Sequence, residues 1–149
     1  MSEALLAREA VRLHEVAADR EAAVTRCGEV LVDIGAAEPG YIAAMLAREE
    51  SISTYVGEQV AIPHGTLAGK ELITRDALAV LRFAEPVDWD GHPVRLCVAI
   101  AARGNGHVAL LAALAEVLMD PAAARTLRDS TDIDEVIALL GAVGKDSTA

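Results

Sequence analysis

Residues 60–66 read Val-Ala-Ile-Pro-His-Gly-Thr, and this stretch decides how the fold presents a reactive side chain. The apolar run Val60–Ile62 is typical of the end of a buried strand. Pro63 then ends the strand, because its ring removes the amide donor and fixes φ. His64 follows, beside the conformationally permissive Gly65. The pattern therefore predicts an imidazole on a loop with rigid support, where histidine can act as base, nucleophile or metal ligand.

Composition and charge exclude several classes of protein. The chain has 149 residues, 53% of them hydrophobic, which predicts one folded domain with a real core rather than a disordered chain. The net charge of −10 argues against non-specific binding to nucleic acid or anionic membranes, since both need basic patches. No apolar run is long enough to cross a bilayer, and residues 1–13 lack the apolar core of a signal peptide. A cytoplasmic protein is predicted.

Cysteine and histidine spacing gives no support for a metal site. Cys27 and Cys97 both lie in apolar patterns without zinc or CxxC spacing, so we expect buried, reduced thiols and neither metal nor cofactor. The histidines form no HxH or HxxxH pair and are scattered at positions 14, 64, 92 and 107. We expect His14 to be a solvated helix residue and His92 to lie in a turn without a chemical role.

Helical and extended patterns alternate along the chain. Asp19 can cap a helix that ends at Gly35, with apolar residues at helical spacing between them. Glu38-Pro39 opens a second helix, because proline is tolerated in the first turn. The residues predicted on one side of this second helix are Tyr41, Met45 and Arg48.

Extended segments are predicted at residues 55–56, 60–62, 77–83 and 95–102. The last of these is almost continuously apolar, which indicates a central strand buried on both faces. Asp90-Gly91 is a hairpin-turn signal between extended runs.

Two further helices are predicted after the central strand. Asn105 can cap the first, which ends near Asp120-Pro121 and has His107 in its first turn, where free amides and the helix dipole favour an anion. The second begins near Thr131 and ends at Gly141, before a short polar tail.

His64 and His107 each follow a predicted strand, so both can meet at one edge of an open α/β sheet. Together with the guanidinium of Arg48, they would suit a phosphoryl group. Spacing alone leaves other interpretations open. Arg48 with Glu49 and Glu50 fits a surface ion-pair cluster, His107 fits a helix cap, and His64 fits a turn residue. No phosphate-binding GxxxxGK[ST] loop and no serine nucleophile elbow supports nucleotide binding or ester hydrolysis.

A family resemblance favours the phosphoryl interpretation. Taken in order and spacing, five segments closely resemble the IIA component of the bacterial phosphoenolpyruvate-dependent sugar phosphotransferase system, of the mannitol/fructose family. These segments are 44–49 (Ala-Met-Leu-Ala-Arg-Glu), 53–57 (Ser-Thr-Tyr-Val-Gly), 60–65 (Val-Ala-Ile-Pro-His-Gly), 98–102 (Val-Ala-Ile-Ala-Ala) and His107. The resemblance extends from about residue 5 to residue 140, and the region of His107 is more like the mannitol branch.

The resemblance implies an α/β fold with one mixed sheet flanked by helices, residues 1–149 forming a single IIA domain with a polar tail at 141–149. It implies that His64 accepts a phosphoryl group from the phosphohistidine of HPr and passes it to a cysteine of a IIB component, without metal or nucleotide. Arg48 and His107 match positions that support the phosphoryl site. Gly106 departs from relatives, which often have an acidic residue before the second histidine.

Two alternatives come from other functional classes. One is a nitrogen-related regulatory protein that signals by phosphorylation-dependent binding, against which the mannitol-like region of His107 argues. The other is a structural domain with a decayed site, against which the retained Arg48, His64 and His107 argue. We expect a free-standing IIA protein, since no IIB or IIC sequence follows, and the sugar stays open between mannitol, fructose and other polyols. HPr and IIB should share an apolar rim formed by Ile62, Val56 and residues 104–106.

Overall fold

A computed structural model describes residues 6–66, 68–103 and 106–148. Within these residues one mixed sheet of five strands forms the centre of the fold. In chain order the strands are β1 (Val11–Glu15), β2 (Tyr55–Gly57), β3 (Val60–Ala61), β4 (Ala77–Trp89) and β5 (His92–Ala101). Their order across the sheet is β1-β4-β5-β3-β2. β5 pairs antiparallel with β4 and parallel with β3, so the sheet is mixed as expected.

β5 is the central strand that the apolar run predicted. Leu96–Ala101 is fully buried, because neighbouring strands pair with both edges and helices pack against the sheet. The parallel pairing with β3 has a functional consequence. It brings the carboxyl ends of the two strands to the same edge of the sheet, where the chain continues into His64 after β3 and into the third helix after β5.

The α-helices in the described part of the chain are α1 (Arg20–Asp33), α2 (Tyr41–Ser51), α3 (Gly106–Met119), α4 (Pro121–Asp129) and α5 (Ile133–Thr148). α1 has the predicted ends. The Asp19 carboxylate accepts a hydrogen bond from the Ala22 amide at 2.8 Å, and Gly35 follows the helix with φ of +78°. Among the described residues, no helix is both long and apolar enough to cross a membrane.

The start of α2 differs from the prediction. Glu38-Pro39 lies before the helix, because the amides of Tyr41 and Ile42 bond to the carbonyls of Glu38 and Pro39 in a tight turn. The helix proper begins at Tyr41. This shift leaves the first helical side chain, Tyr41, buried against the sheet.

Sequence analysis missed two elements and shortened two others. β1 is a strand in which buried Val11 and Leu13 alternate with more exposed neighbours, so His14 is exposed on a strand rather than on a helix. Pro121 begins α4 after an Asp120 cap, whereas the sequence pattern predicts only the end of the preceding helix there. α5 continues beyond Gly141 to Thr148.

β4 continues past residue 83 to Trp89, because the strand register shifts between Arg82 and Val87 and pairing with β5 then resumes. The hairpin closes at Asp90-Gly91, where φ is +54° and +90°, as the turn signal predicted.

Candidate functional site

His64 lies three residues after the end of β3, beside Ile100 near the carboxyl end of β5. The carbonyl of Pro63 accepts a hydrogen bond from the Ile100 amide at 2.9 Å, and His64 forms a parallel bridge with Ile100. The loop is therefore held against the central strand although β3 has ended. The His64 residue is 7% exposed, so its ring is supported by packing and stays at the edge of the core.

One hydrogen bond identifies the tautomer of the neutral His64 ring. Its Nδ1 lies 2.9 Å from the carbonyl oxygen of Ile62. Because a carbonyl oxygen can only accept, Nδ1 carries the proton and donates it in this contact. The lone pair of the neutral ring then lies on Nε2. In this tautomer Nε2 is the ring nitrogen that can act as an acceptor or a nucleophile.

Tyr41 forms a hydrogen bond with Gly65, the residue after the histidine. Its hydroxyl accepts a hydrogen bond from the Gly65 amide at 2.8 Å and donates one to the Ile100 carbonyl at 3.1 Å. Burial raises the pKa of Tyr41 above its ordinary value, although the Gly65 amide opposes this effect. The phenol therefore stays protonated at neutral pH and keeps its donor. A β-carbon on Gly65 would lie 2.4 Å from the Tyr41 ring, so glycine is needed here for space.

The buried face of α2 consists of Tyr41, Met45 and Glu49, not of the Arg48 that the spacing predicted. Arg48 is half-buried beside this face, and its guanidinium donates to the Ile52 carbonyl at 2.6 Å. At the rise of an α-helix it lies about 10 Å along the axis from Tyr41. Tyr41 thus contacts the histidine loop, whereas the hydrogen bond of Arg48 lies at the end of α2.

Glu49 is 4% exposed, so the surface ion-pair interpretation is wrong for this residue. Its Oε2 accepts hydrogen bonds from the Thr54 amide at 2.8 Å and from the Trp89 indole at 3.0 Å. Its Oε1 accepts from the Thr54 hydroxyl at 2.6 Å. Sequence analysis missed this group. The available signal was a carboxylate four residues after Met45, on the apolar side of a helix.

His107 belongs to the first turn of α3, as predicted, and its backbone follows β5 at the same edge as His64. Its side chain lies outside the described residues, and so do Gly104 and Asn105. The Arg103 amide donates to the Asp76 carboxylate at 2.7 Å, which ties the end of β5 to the start of β4.

One residue of the predicted docking rim, Ile62, is buried and unavailable to a partner. Ile62 is 6% exposed, because its amide pairs with the Thr54 carbonyl at 3.0 Å and its side chain joins the core. It cannot form contact surface for a partner. Val56 is 48% exposed as expected, and Ile52 is 66% exposed, so these two side chains provide apolar surface near the end of α2.

The remaining candidates fall outside this arrangement. His92 begins β5 rather than lying in the turn, and its exposed ring stacks on the Tyr55 ring with 4.5 Å between centroids. Cys27 and Cys97 are free and buried, as predicted, and burial raises the pKa of the Cys97 thiol. Across residues 6–66, 68–103 and 106–148, no group of three or more histidine, cysteine or acidic side chains is arranged to hold a metal ion.

Comparisons with known proteins show which family the chain belongs to. Residues 4–142 match the family model described as phosphoenolpyruvate-dependent sugar phosphotransferase system, EIIA 2. The chain is 37% identical over 145 residues to the mannitol-specific phosphotransferase enzyme IIA component of Halalkalibacterium halodurans, covering 97% of this chain and all of that relative. It is 36% identical over 138 residues, or 91% of its length, to the mannitol-specific EIICBA component of Escherichia coli K12, but spans only 22% of that protein.

The fold is also similar to a solved structure. The solution structure of enzyme IIA-Mtl in complex with phosphorylated enzyme IIB-Mtl from Escherichia coli superimposes with a TM-score of 0.86 at 34% identity, covering 93% of this chain and 99% of that one. The chain therefore belongs to the EIIA 2 family of the phosphoenolpyruvate-dependent sugar phosphotransferase system, and as a IIA component it is a phosphotransferase.

Proposed function

We propose that this chain is a phosphocarrier in which Nε2 of His64 accepts a phosphoryl group from phospho-HPr and passes it to a IIB component. The observation that carries the proposal is the 2.9 Å contact between Nδ1 of His64 and the Ile62 carbonyl. It keeps the proton on one nitrogen and the lone pair on the other. Residues 1–149 act as one IIA unit in this proposal, located in the cytoplasm with HPr.

The chemistry needs no metal or nucleotide. In the first step the Nε2 lone pair attacks phosphorus, the N–P bond of phospho-HPr breaks, and its electron pair returns to the HPr imidazole. In the second step a thiolate of IIB attacks the same phosphorus, and the pair of the breaking bond returns to Nε2. During both steps the Ile62 carbonyl stabilises the proton on Nδ1, so the positive charge of the phosphorylated ring has a fixed partner.

We propose supporting roles for Arg48 and His107. The three phosphoryl oxygens carry negative charge, and a guanidinium can neutralise it through two parallel hydrogen bonds. Arg48 would exchange its bond to the Ile52 carbonyl for the phosphoryl oxygens. His107 belongs to the first turn of α3, where the helix dipole also favours an anion.

HPr and IIB must both reach His64, so we propose that they compete for one surface around it. The exposed Ile52 and Val56 supply apolar contacts suited to a small, transient interface. With a net charge of −10, the chain should attract a basic partner face, and association should weaken as salt rises. Mannitol is the first sugar to test, because it appears in the names of the similar proteins. The sugar itself would be selected by the membrane permease that carries IIB.

The proposal is tested by phosphoryl uptake. The protein is incubated with phosphoenolpyruvate, enzyme I and HPr, and acid-labile phosphate is measured by intact-mass spectrometry. We expect one phosphoryl group on the wild type, none on His64→Ala, and normal uptake by His14→Ala, which removes an exposed histidine on β1. Full labelling of His64→Ala would refute the assignment.

Two further arms refine the result. Arg48→Ala and His107→Ala should slow uptake about 100-fold or more with unchanged circular dichroism, because each removes a donor to the phosphoryl group rather than a core contact. Transfer onward to a purified mannitol-type IIB component separates a transport protein from the nitrogen-related regulatory alternative, which would be phosphorylated without passing the group to IIB.

A further inference from the structure

Three hydrogen bonds, joined through the backbone of Thr54 and of Ile62, lead from the buried carboxylate of Glu49 to the ring of His64. The Thr54 amide donates to Glu49 Oε2 at 2.8 Å. The Ile62 amide donates to the Thr54 carbonyl at 3.0 Å. The His64 ring then contacts the Ile62 carbonyl at 2.9 Å through Nδ1.

Glu49 is well suited to hold the first link in place. It is 4% exposed, and its two oxygens accept three hydrogen bonds, from the amide and hydroxyl of Thr54 and from the Trp89 indole. These donors lie outside α2, at the start of β2 and the end of β4. A buried carboxylate adds little net stability even when it is well paired, but its charged hydrogen bonds are short and directional. Its contribution here is fixed geometry.

We propose that Glu49 is a positioning residue for His64, an inference that rests on His64 being the phosphoryl acceptor. Glu49 does not touch the reacting atoms. It fixes Thr54, the Thr54 carbonyl fixes the Ile62 peptide, and the Ile62 carbonyl keeps the His64 proton on Nδ1. Without the carboxylate, the Ile62 carbonyl loses its fixed direction, the ring populates both tautomers, and fewer molecules present a lone pair on Nε2.

The competing explanation is that Glu49 only satisfies the Trp89 indole in the core. The two explanations differ in which partner matters. Trp89→Phe removes the indole donor but leaves both Thr54 contacts intact, whereas Glu49→Ala removes the acceptor for all three donors. Glu49→Gln retains the contacts, because its amide oxygen can accept both N–H groups while its amide nitrogen donates to a rotated Thr54 hydroxyl.

The experiment compares phosphoryl uptake from phospho-HPr in these three variants and in Glu50→Ala, a control that removes the adjacent, exposed carboxylate. We expect Glu49→Ala to lower kcat roughly 10- to 100-fold with an unchanged KM for HPr, since displaced reacting groups cost rate rather than docking. Glu49→Gln should restore most of the rate. Trp89→Phe should lower the melting temperature but keep the rate, and Glu50→Ala should match the wild type.

A second measurement needs no phosphoryl donor. Long-range proton–nitrogen NMR of the histidine side chains reports which ring nitrogen carries the proton. We expect the Nδ1–H tautomer at His64 in the wild type and in Glu49→Gln, and a mixture in Glu49→Ala. If Glu49→Ala does not fold, Glu49→Met replaces it, because its side chain is similar in size but offers no oxygen to accept the three hydrogen bonds.

Two results would overturn the proposal. One is a folded Glu49→Ala or Glu49→Met with wild-type kcat and an unchanged His64 tautomer. The other is a Trp89→Phe variant as slow as Glu49→Ala, which would assign the effect to core packing. Failure of the phosphocarrier function is distinguishable from both, since the wild type itself would then take up no phosphoryl group while the NMR comparison still decides whether Glu49 controls the tautomer.

Discussion

Two histidines of this chain lie beside prolines at strand ends, in opposite surroundings. His64 follows Pro63 and is buried, with its ring held by the Ile62 carbonyl and its backbone tied to the central strand. His92 precedes Pro93 and is exposed, and the contact described for its ring is the stack on Tyr55. Each histidine lies between a proline and a glycine, in opposite order along the chain. The difference comes from the elements packed around each loop.

The glycines next to these histidines show the same contrast. Gly65 has no positive φ, but a β-carbon there would meet the Tyr41 ring at 2.4 Å. Gly91 has φ of +90°, and a β-carbon there would meet nothing within 4 Å. One glycine is required because another element approaches closely, and the other is required because of the turn conformation. Tertiary packing therefore distinguishes the His64 loop, and backbone conformation distinguishes the His92 turn.

The largest expected effect separates these two glycines. Gly65→Ala should slow phosphoryl uptake about 100-fold, because the methyl group must push the histidine loop away from Tyr41, and should lower the free energy of unfolding by about 1–3 kcal/mol. Gly91→Ala should cost about 1 kcal/mol of stability through turn strain and leave uptake unchanged. Uptake rates and urea unfolding of both variants make the comparison. Equal uptake by the two variants would show that the close packing at Gly65 has no functional role.

Local chemistry explains what could be predicted from sequence. The turn at Asp90-Gly91, the ends of α1, and the buried strand over 95–102 follow from short patterns that read the same in any fold. The position of His64 after a strand follows from the Pro-His-Gly stretch. The mixed sheet and the phosphoryl chemistry came from the family resemblance rather than from spacing.

Other features depend on residues far apart in the chain. Tyr41 reaches Gly65 across 24 positions, and Glu49 reaches Trp89 across 40, so no local pattern indicates either hydrogen bond. A run of charged residues ordinarily indicates surface, and Glu49 is buried because other elements supply its donors. Pro121 fits both the end of one helix and the start of the next, and only the Asp120 cap reveals the second.

Tyr41→Phe should have an intermediate effect on the anchored loop. It keeps the ring but removes the hydroxyl, which leaves the Gly65 amide and the Ile100 carbonyl without this partner. We expect a loss of about 1–3 kcal/mol in the free energy of unfolding and a smaller decrease in uptake than in Gly65→Ala. Urea denaturation at pH 7, followed by the fluorescence of the chain's single tryptophan, measures the change.

The pH dependence of the same pair of proteins serves as the control. Burial raises the pKa of Tyr41 in the folded state. The contribution of its hydroxyl to the free energy of unfolding is therefore complete below the pKa that tyrosine has in the unfolded chain, about 10. As pH rises above that value the unfolded phenol ionises while the folded one stays neutral, and the contribution is lost. The stability difference between wild type and Tyr41→Phe should therefore narrow above pH ~10. A difference that stays constant with pH would contradict the buried, hydrogen-bonded state of this hydroxyl.

The smallest expected effect is at His92, and it tests whether the two loops are independent. His92→Ala removes an exposed ring stack on Tyr55, which should cost about 0.5 kcal/mol. Uptake should not change, because the anchoring of the His64 loop runs through Tyr41, Ile62 and Ile100 and not through Tyr55. Uptake kinetics with urea unfolding check both statements. A slower uptake in His92→Ala would mean that Tyr55 transmits strain along β2 to its neighbour Thr54, and the hairpin turn would then belong to the support of the reactive histidine.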